Sequence, residues 1–101
     1  MTSNGDRMGV EDIHSQEART DTGVVLRSVD RETLRADYQG RSMVLPVDRG
    51  VGSHGIYLPA VPSWDDGEPI PAVDLAVIKD AVVEVLRHWG SETEFITLSR
   101  G

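Results

Sequence analysis

The sequence predicts an α+β domain: an antiparallel meander of four short strands, one long amphipathic helix packed on one face, and a final C-terminal strand. Two observations carry this. Between Val24 and Leu58 apolar residues alternate with polar ones in short runs broken by turn residues. Between Leu75 and Trp89 they recur instead at steps of three and four. Hairpins ahead of a single helix suit two layers, with the helix covering one sheet face.

The elements follow in order. Residues 1–20 show neither period and are rich in small polar and acidic residues, so they read as a disordered tail ahead of a domain spanning 21–101. Val24 to Val29 is a compact β-branched run, and Asp30-Arg31-Glu32 is a turn. In the next strand Leu34, Ala36 and Tyr38 face one way, and Arg35, Asp37 and Gln39 the other. Gly40 marks a tight turn. Met43, Leu45 and Val47 face the core in the third strand. Pro46 has no N–H for a ladder, which puts this strand at an edge or gives it a bulge. Ile56 to Leu58 is the fourth strand, and prolines 59, 62 and 69 bracket an irregular loop.

The helix is the strongest signal. Leu75, Ile78, Val82, Val85, Leu86 and Trp89 share a face, which Val73, Val77 and Ala81 widen. Pro71 suits the first turn, Asp74 the positive helix end, Arg87 and His88 the negative end, and Gly90 the closing left-handed turn. Thr93 to Ser99 makes the last strand. His88, one turn after Glu84, reads as half of a surface pair.

Composition excludes several function classes. The chain has 101 residues and no cysteine, which rules out disulfides, thiol nucleophiles and thiolate metal sites. The N-terminus is polar and acidic, and no apolar run nears the roughly 20 residues of a membrane span, so a cytoplasmic protein without membrane contact is expected. The net charge of −7 is uneven. Residues 22–58 carry five arginines against four acids, whereas residues 59–101 carry eight acids against three bases. Direct nucleic-acid binding, which depends on neutralising phosphates, is therefore not expected. A basic protein partner fits better, although acids also serve simply to keep a small domain soluble.

Chemical motifs are sparse. Gly50-Val51-Gly52-Ser53-His54-Gly55 matches the dinucleotide fingerprint in letters, but a strand follows it where the mechanism needs a helix N-terminus. A flexible hairpin turn is the expected reading, and no cofactor is expected. Ser53 and His54 are neighbours without a nucleophile elbow, since Val51 replaces its glycine. His14, His54 and His88 lie at no metal-ligand spacing, and Asp65, Asp66 and Glu68 lack the alternation of a calcium loop, so no metal is expected. Trp64 has two readings. Among Asp65, Asp66 and Glu68 it can anchor a protein interface, or it can fold back as a lid over the sheet edge or the helix start. On the first reading Trp64, Asp65, Asp66 and Glu68 form the partner-binding loop. Trp89 belongs to the core.

From 22 to 99 the chain resembles the immunity protein 74 family of bacterial polymorphic-toxin systems. The resemblance rests on Ile56-Tyr57-Leu58, on Trp64 with Asp65, and on Gly67-Glu68-Pro69-Ile70. It continues through the helix ending in Leu86, then Gly90, and the last strand with Glu94. It departs at Pro71, where a polar helix cap is expected. It implies a small non-catalytic protein that binds and blocks a cognate toxin. Many such toxins are nucleases with basic sites, which agrees with the acidic half. The alternatives are a regulatory or self-associating module, its partner a second copy in a homodimer, and a small hydrolase using Ser53 or His54.

Overall fold

A computed structural model describes residues 10–14, 16–49 and 53–98. Strands β1 (Glu11–His14) and β2 (Glu17–Arg19) come first. They are followed by β3 (Val24–Asp30), β4 (Thr33–Tyr38), β5 (Arg41–Arg49) and β6 (Ser53–Leu58). Helix α1 (Ala72–His88) leads to β7 (Glu92–Thr97). The α+β class is as expected, but the sheet is larger: its seven strands lie side by side in chain order. The meander therefore begins earlier than the sequence pattern indicates. Each strand from β1 to β6 is antiparallel to its neighbour.

The expected tail boundary at residue 20 moves, because β1 and β2 fall inside it. Ala18 sits opposite Leu26 and is fully buried, and Thr20 is 3% exposed. The Thr20 hydroxyl accepts from Val24 N–H at 3.3 Å and shares a hydrogen bond with the Thr22 hydroxyl at 2.8 Å. Residues 1–9 lie outside the described residues. Deleting 1–20 is expected to lower stability by about 1 kcal/mol or more, roughly 4–8 °C for a domain of this size. Calorimetry checks it. An unchanged midpoint would mean that β1 and β2 contribute nothing to the fold.

The turns follow residue chemistry. Gln39 (φ 56°) and Gly40 (φ 80°) both have positive φ, the hairpin geometry whose twist matches its strands. Pro46 marks a division within β5. Arg41–Pro46 pairs with β4, and Val47–Arg49 pairs with β6. Val47 N–H donates to Glu32 O on the β4 side at 2.8 Å. The ring nitrogen of Pro46 therefore faces the other side, where the β6 ladder has not begun. Each half of β5 thus has a strand ladder on one side only, β4 along the first and β6 along the second, which reconciles the proline with a strand lying between two others.

The sequence pattern sets no direction for the last strand. β7 runs parallel to β6, with Ile56 opposite Phe95. A parallel pair needs a long crossover, and the loop at 59–71 together with α1 supplies it. Leu26, Leu34, Ala36, Met43, Leu45, Ile56 and Leu58 from the sheet meet Ile78, Ala81, Val82, Val85 and Leu86 from the helix in one core. Leu75, Val77 and Trp89 pack against it half-buried. Val73 is instead 70% exposed, because about 100° per residue turns it away from the stripe. Pro71 stands at the N-cap without a side-chain cap bond, one position before the expected first turn. Gly90 (φ 95°) closes the helix, with Ser91 N–H on Leu86 O at 2.7 Å and Gly90 N–H on Arg87 O at 2.9 Å.

Candidate functional site

The loop after β6 returns along the first half of β5. Asp65 N–H donates to Ser42 O at 2.8 Å, and Ser63 and Pro69 form a bridge. Trp64 N–H reaches Glu68 O, and Gly67 N–H reaches Trp64 O, both at 2.8 Å. Gly67 has φ 92°, which glycine adopts without a Cβ penalty. Asp66 Oδ1 accepts from Glu68 N–H at 3.0 Å, a turn that aspartate favours. Trp-Asp-Asp-Gly-Glu is thus a closed turn capping a strand edge that Pro46 leaves open.

This geometry separates the four candidate residues. Trp64 is 4% exposed and part of the core, so it is a lid and not an exposed interface anchor. Arg41 lies above its ring, 5.4 Å from the centroid. The indole Nε1 is buried without a hydrogen-bond partner among the described residues. Asp65, Asp66 and Glu68 stay on the surface. Asp65 pairs with Arg35 at 3.0 Å and Asp66 with Arg41 at 2.9 Å. Hydrogen bonds from Arg41, then from Glu68 N–H, hold the Asp66 carboxyl below its ordinary pKa. Arg35 also reaches Asp37 at 3.6 Å, and the Ser42 hydroxyl donates to Asp37. Glu68 has no cation beside it among the described residues. The two aspartates therefore spend much of their charge within the fold.

Gly50, Val51 and Gly52 of the glycine motif lie outside the described residues. Ser53, His54 and Gly55 begin β6, so the motif enters a strand. The parallel β6–α1–β7 unit does not serve that motif, since α1 begins only at Ala72. Among the described residues no three His, Asp or Glu side chains gather as metal ligands. No helix among them is long and apolar enough to cross a membrane.

A cavity of about 340 Å³ opens near the C-terminal end of α1, lined by Gln16, Ser28, His54, Trp89 and Ser91 with Leu34 and Leu86. His54 lies within β6, not in a turn, and its Nδ1 is 2.8 Å from the Ser91 hydroxyl. Sequence reading considered His54 but missed Ser91, which lies 37 positions away with no motif to link them. A serine beside an imidazole can act as a nucleophile only if the resulting oxyanion finds donors. Here Trp89, Gly90 and Ser91 N–H groups are already taken by Val85, Arg87 and Leu86 carbonyls. The site also sits at the negative helix end. These three backbone donors are therefore not available to an oxyanion at Ser91.

The same helix end is clasped by β1. His88 Nε2 is 3.0 Å and Trp89 Nε1 3.5 Å from the Asp12 carboxylate, so His88 pairs across the fold and not with Glu84. The His88 hydrogen bond holds Asp12 below its ordinary pKa of 3.8. A folded-state pKa below the unfolded value stabilises above the unfolded pKa. That contribution is lost as pH falls through the folded one. Asp12→Asn is expected to lose less than about 1 kcal/mol at about pH 5, because the pair is exposed. Urea unfolding over pH should show the gap to wild type closing below about pH 4. A gap that stays constant there would exclude this pair as its source.

Comparison with known proteins finds no relative: no family model matches the chain, and no curated protein or solved structure matches it.

Proposed function

We propose that this protein is a non-catalytic inhibitor that binds a cognate toxin domain of a bacterial polymorphic-toxin system in the cytoplasm and neutralises it by protein–protein contact. The resemblance at residues 56–94 supplies the toxin. The observation that supports a basic partner is the state of the acids. Glu68, Asp80, Glu92 and Glu94 are exposed in the C-terminal half with no cation beside them among the described residues. Such carboxylates attract a basic surface, speed its approach and repel nucleic acid. A toxin that acts on nucleic acid would carry that basic surface.

Asp65, Asp66 and Glu68 remain in this reading as a charged rim around the buried Trp64. The test mixes the protein with the toxin encoded beside it and follows complex formation and toxin activity at two salt concentrations. A stoichiometric complex that silences the toxin and associates more slowly at high salt is expected. Absence of a complex at micromolar concentrations would reject the reading. Glu68→Gln with Asp80→Asn, which removes two of the unpaired charges, should slow association and flatten its salt dependence, leaving dissociation largely unchanged.

A further inference from the structure

β7 leaves one side of the sheet open. It pairs with β6 from Glu92 to Thr97, and among the described residues no strand lies on its other side. An edge strand retains a row of unpaired backbone N–H and C=O groups, which can template a further strand.

The side chains of β7 sort onto two faces. Phe95, opposite Ile56, packs against the core, and Lys79 lies 5.0 Å from its ring centroid. Glu92 and Glu94 point the other way, opposite Ser53 and Gly55, and both are exposed. Asp48 lies across Gly55 on that same face. The Tyr57 hydroxyl donates to Asp48 at 3.3 Å. Its pKa is raised, first by the Asp48 charge and in smaller part by that of Glu94. The free edge is thus bordered on one face by Glu92 and Glu94, with no cation beside them among the described residues, followed by the half-buried Ile96 over Gly55, and on the other by the half-buried Phe95.

We propose that the open edge of β7 accepts an extended segment of a partner protein as an added strand, with lysine or arginine at alternate positions facing Glu92 and Glu94. The proposal rests on the protein-binding reading above and names the chemistry of its partner. Backbone hydrogen bonds supply affinity in such an arrangement, and alternate side chains supply specificity. Residues directly opposite across a strand pair lie about 4.5–5.5 Å apart, close enough for each carboxylate to meet one cation. The intervening side chains of the segment face Phe95, so they should be apolar. A second copy fits poorly, since pairing β7 with itself brings carboxylate rows together. The rival explanation is that Glu92 and Glu94 only discourage strand-to-strand aggregation.

The full chain, labelled for NMR, is titrated with a synthetic octapeptide alternating arginine and valine. Controls are a glutamate–valine peptide and the arginine peptide N-methylated at alternate amides. Only the parent peptide should shift the amides of Glu92–Thr97 and slow their hydrogen exchange. Glu92→Gln with Glu94→Gln should weaken it roughly tenfold. The proposal is overturned if the parent does not bind, if N-methylation has no effect, or if the shifts fall elsewhere. Dimerisation of the free chain through β7 would overturn it too. Cognate toxin that binds the double variant as it binds wild type would remove the edge and leave the inhibitor reading intact. Peptide capture at β7 without toxin binding would keep the edge and remove the toxin.

Discussion

Trp64→Ala is expected to destabilise the fold by about 3 kcal/mol, the lower end of the cost of truncating a buried tryptophan. The indole is 4% exposed, belongs to the core and lies beneath Arg41. Its loss leaves a cavity and removes the cation–π contact. The cost stays at the lower end because the buried Nε1 has no hydrogen-bond partner among the described residues, and truncation relieves that penalty. Trp64→Phe separates the two terms. It keeps an aromatic beneath Arg41, removes the orphan N–H, and should cost about 1 kcal/mol or less. Urea unfolding of the three proteins measures both. Wild-type stability in Trp64→Ala would mean that the side chain lies outside the core.

Leu86→Ala is expected to cost about 2–5 kcal/mol. Leu86 is 1% exposed, at the end of the helix stripe and beside the cavity that also touches Leu34. Glu84, on the other side of the helix, should cost no more than about 0.5 kcal/mol when changed to alanine. A denaturant midpoint shared by the two variants would place the helix face wrongly.

Strands and helix were legible where a period ran long enough to be read. Leu34 and Ala36, then Met43, Leu45 and Val47, are buried as their alternation indicates, and Ile78, Val82, Val85 and Leu86 as their spacing does. β2 has three residues, and only Ala18 among them is buried, so it carries no readable period. The parallel partnership of β6 and β7 is a choice of neighbour, and no local pattern encodes it. Trp64 shows how far the candidate site could be read. The residue and its loop stood out, but the direction of the indole depends on Arg41 and on a strand edge opened by Pro46. Asp65 and Asp66 appeared as free acids for the same reason. Arg35 and Arg41, which pair with them, lie far back in the chain.

The parallel closure of β6 by β7 also bears on the order of folding. β3, β4 and β5 are joined by short turns, so their contacts close small loops and can form early. β7 meets β6 only after the whole crossover has been gathered, and loop-closure entropy delays such contacts. Changes in the central hairpins should therefore slow refolding, and changes in β7 should mainly hasten unfolding. Stopped-flow kinetics would distinguish the two. If the ordering holds, a chain still emerging from the ribosome would carry its hairpins before its last edge, and β7 would become available for pairing only once the rest of the domain was in place.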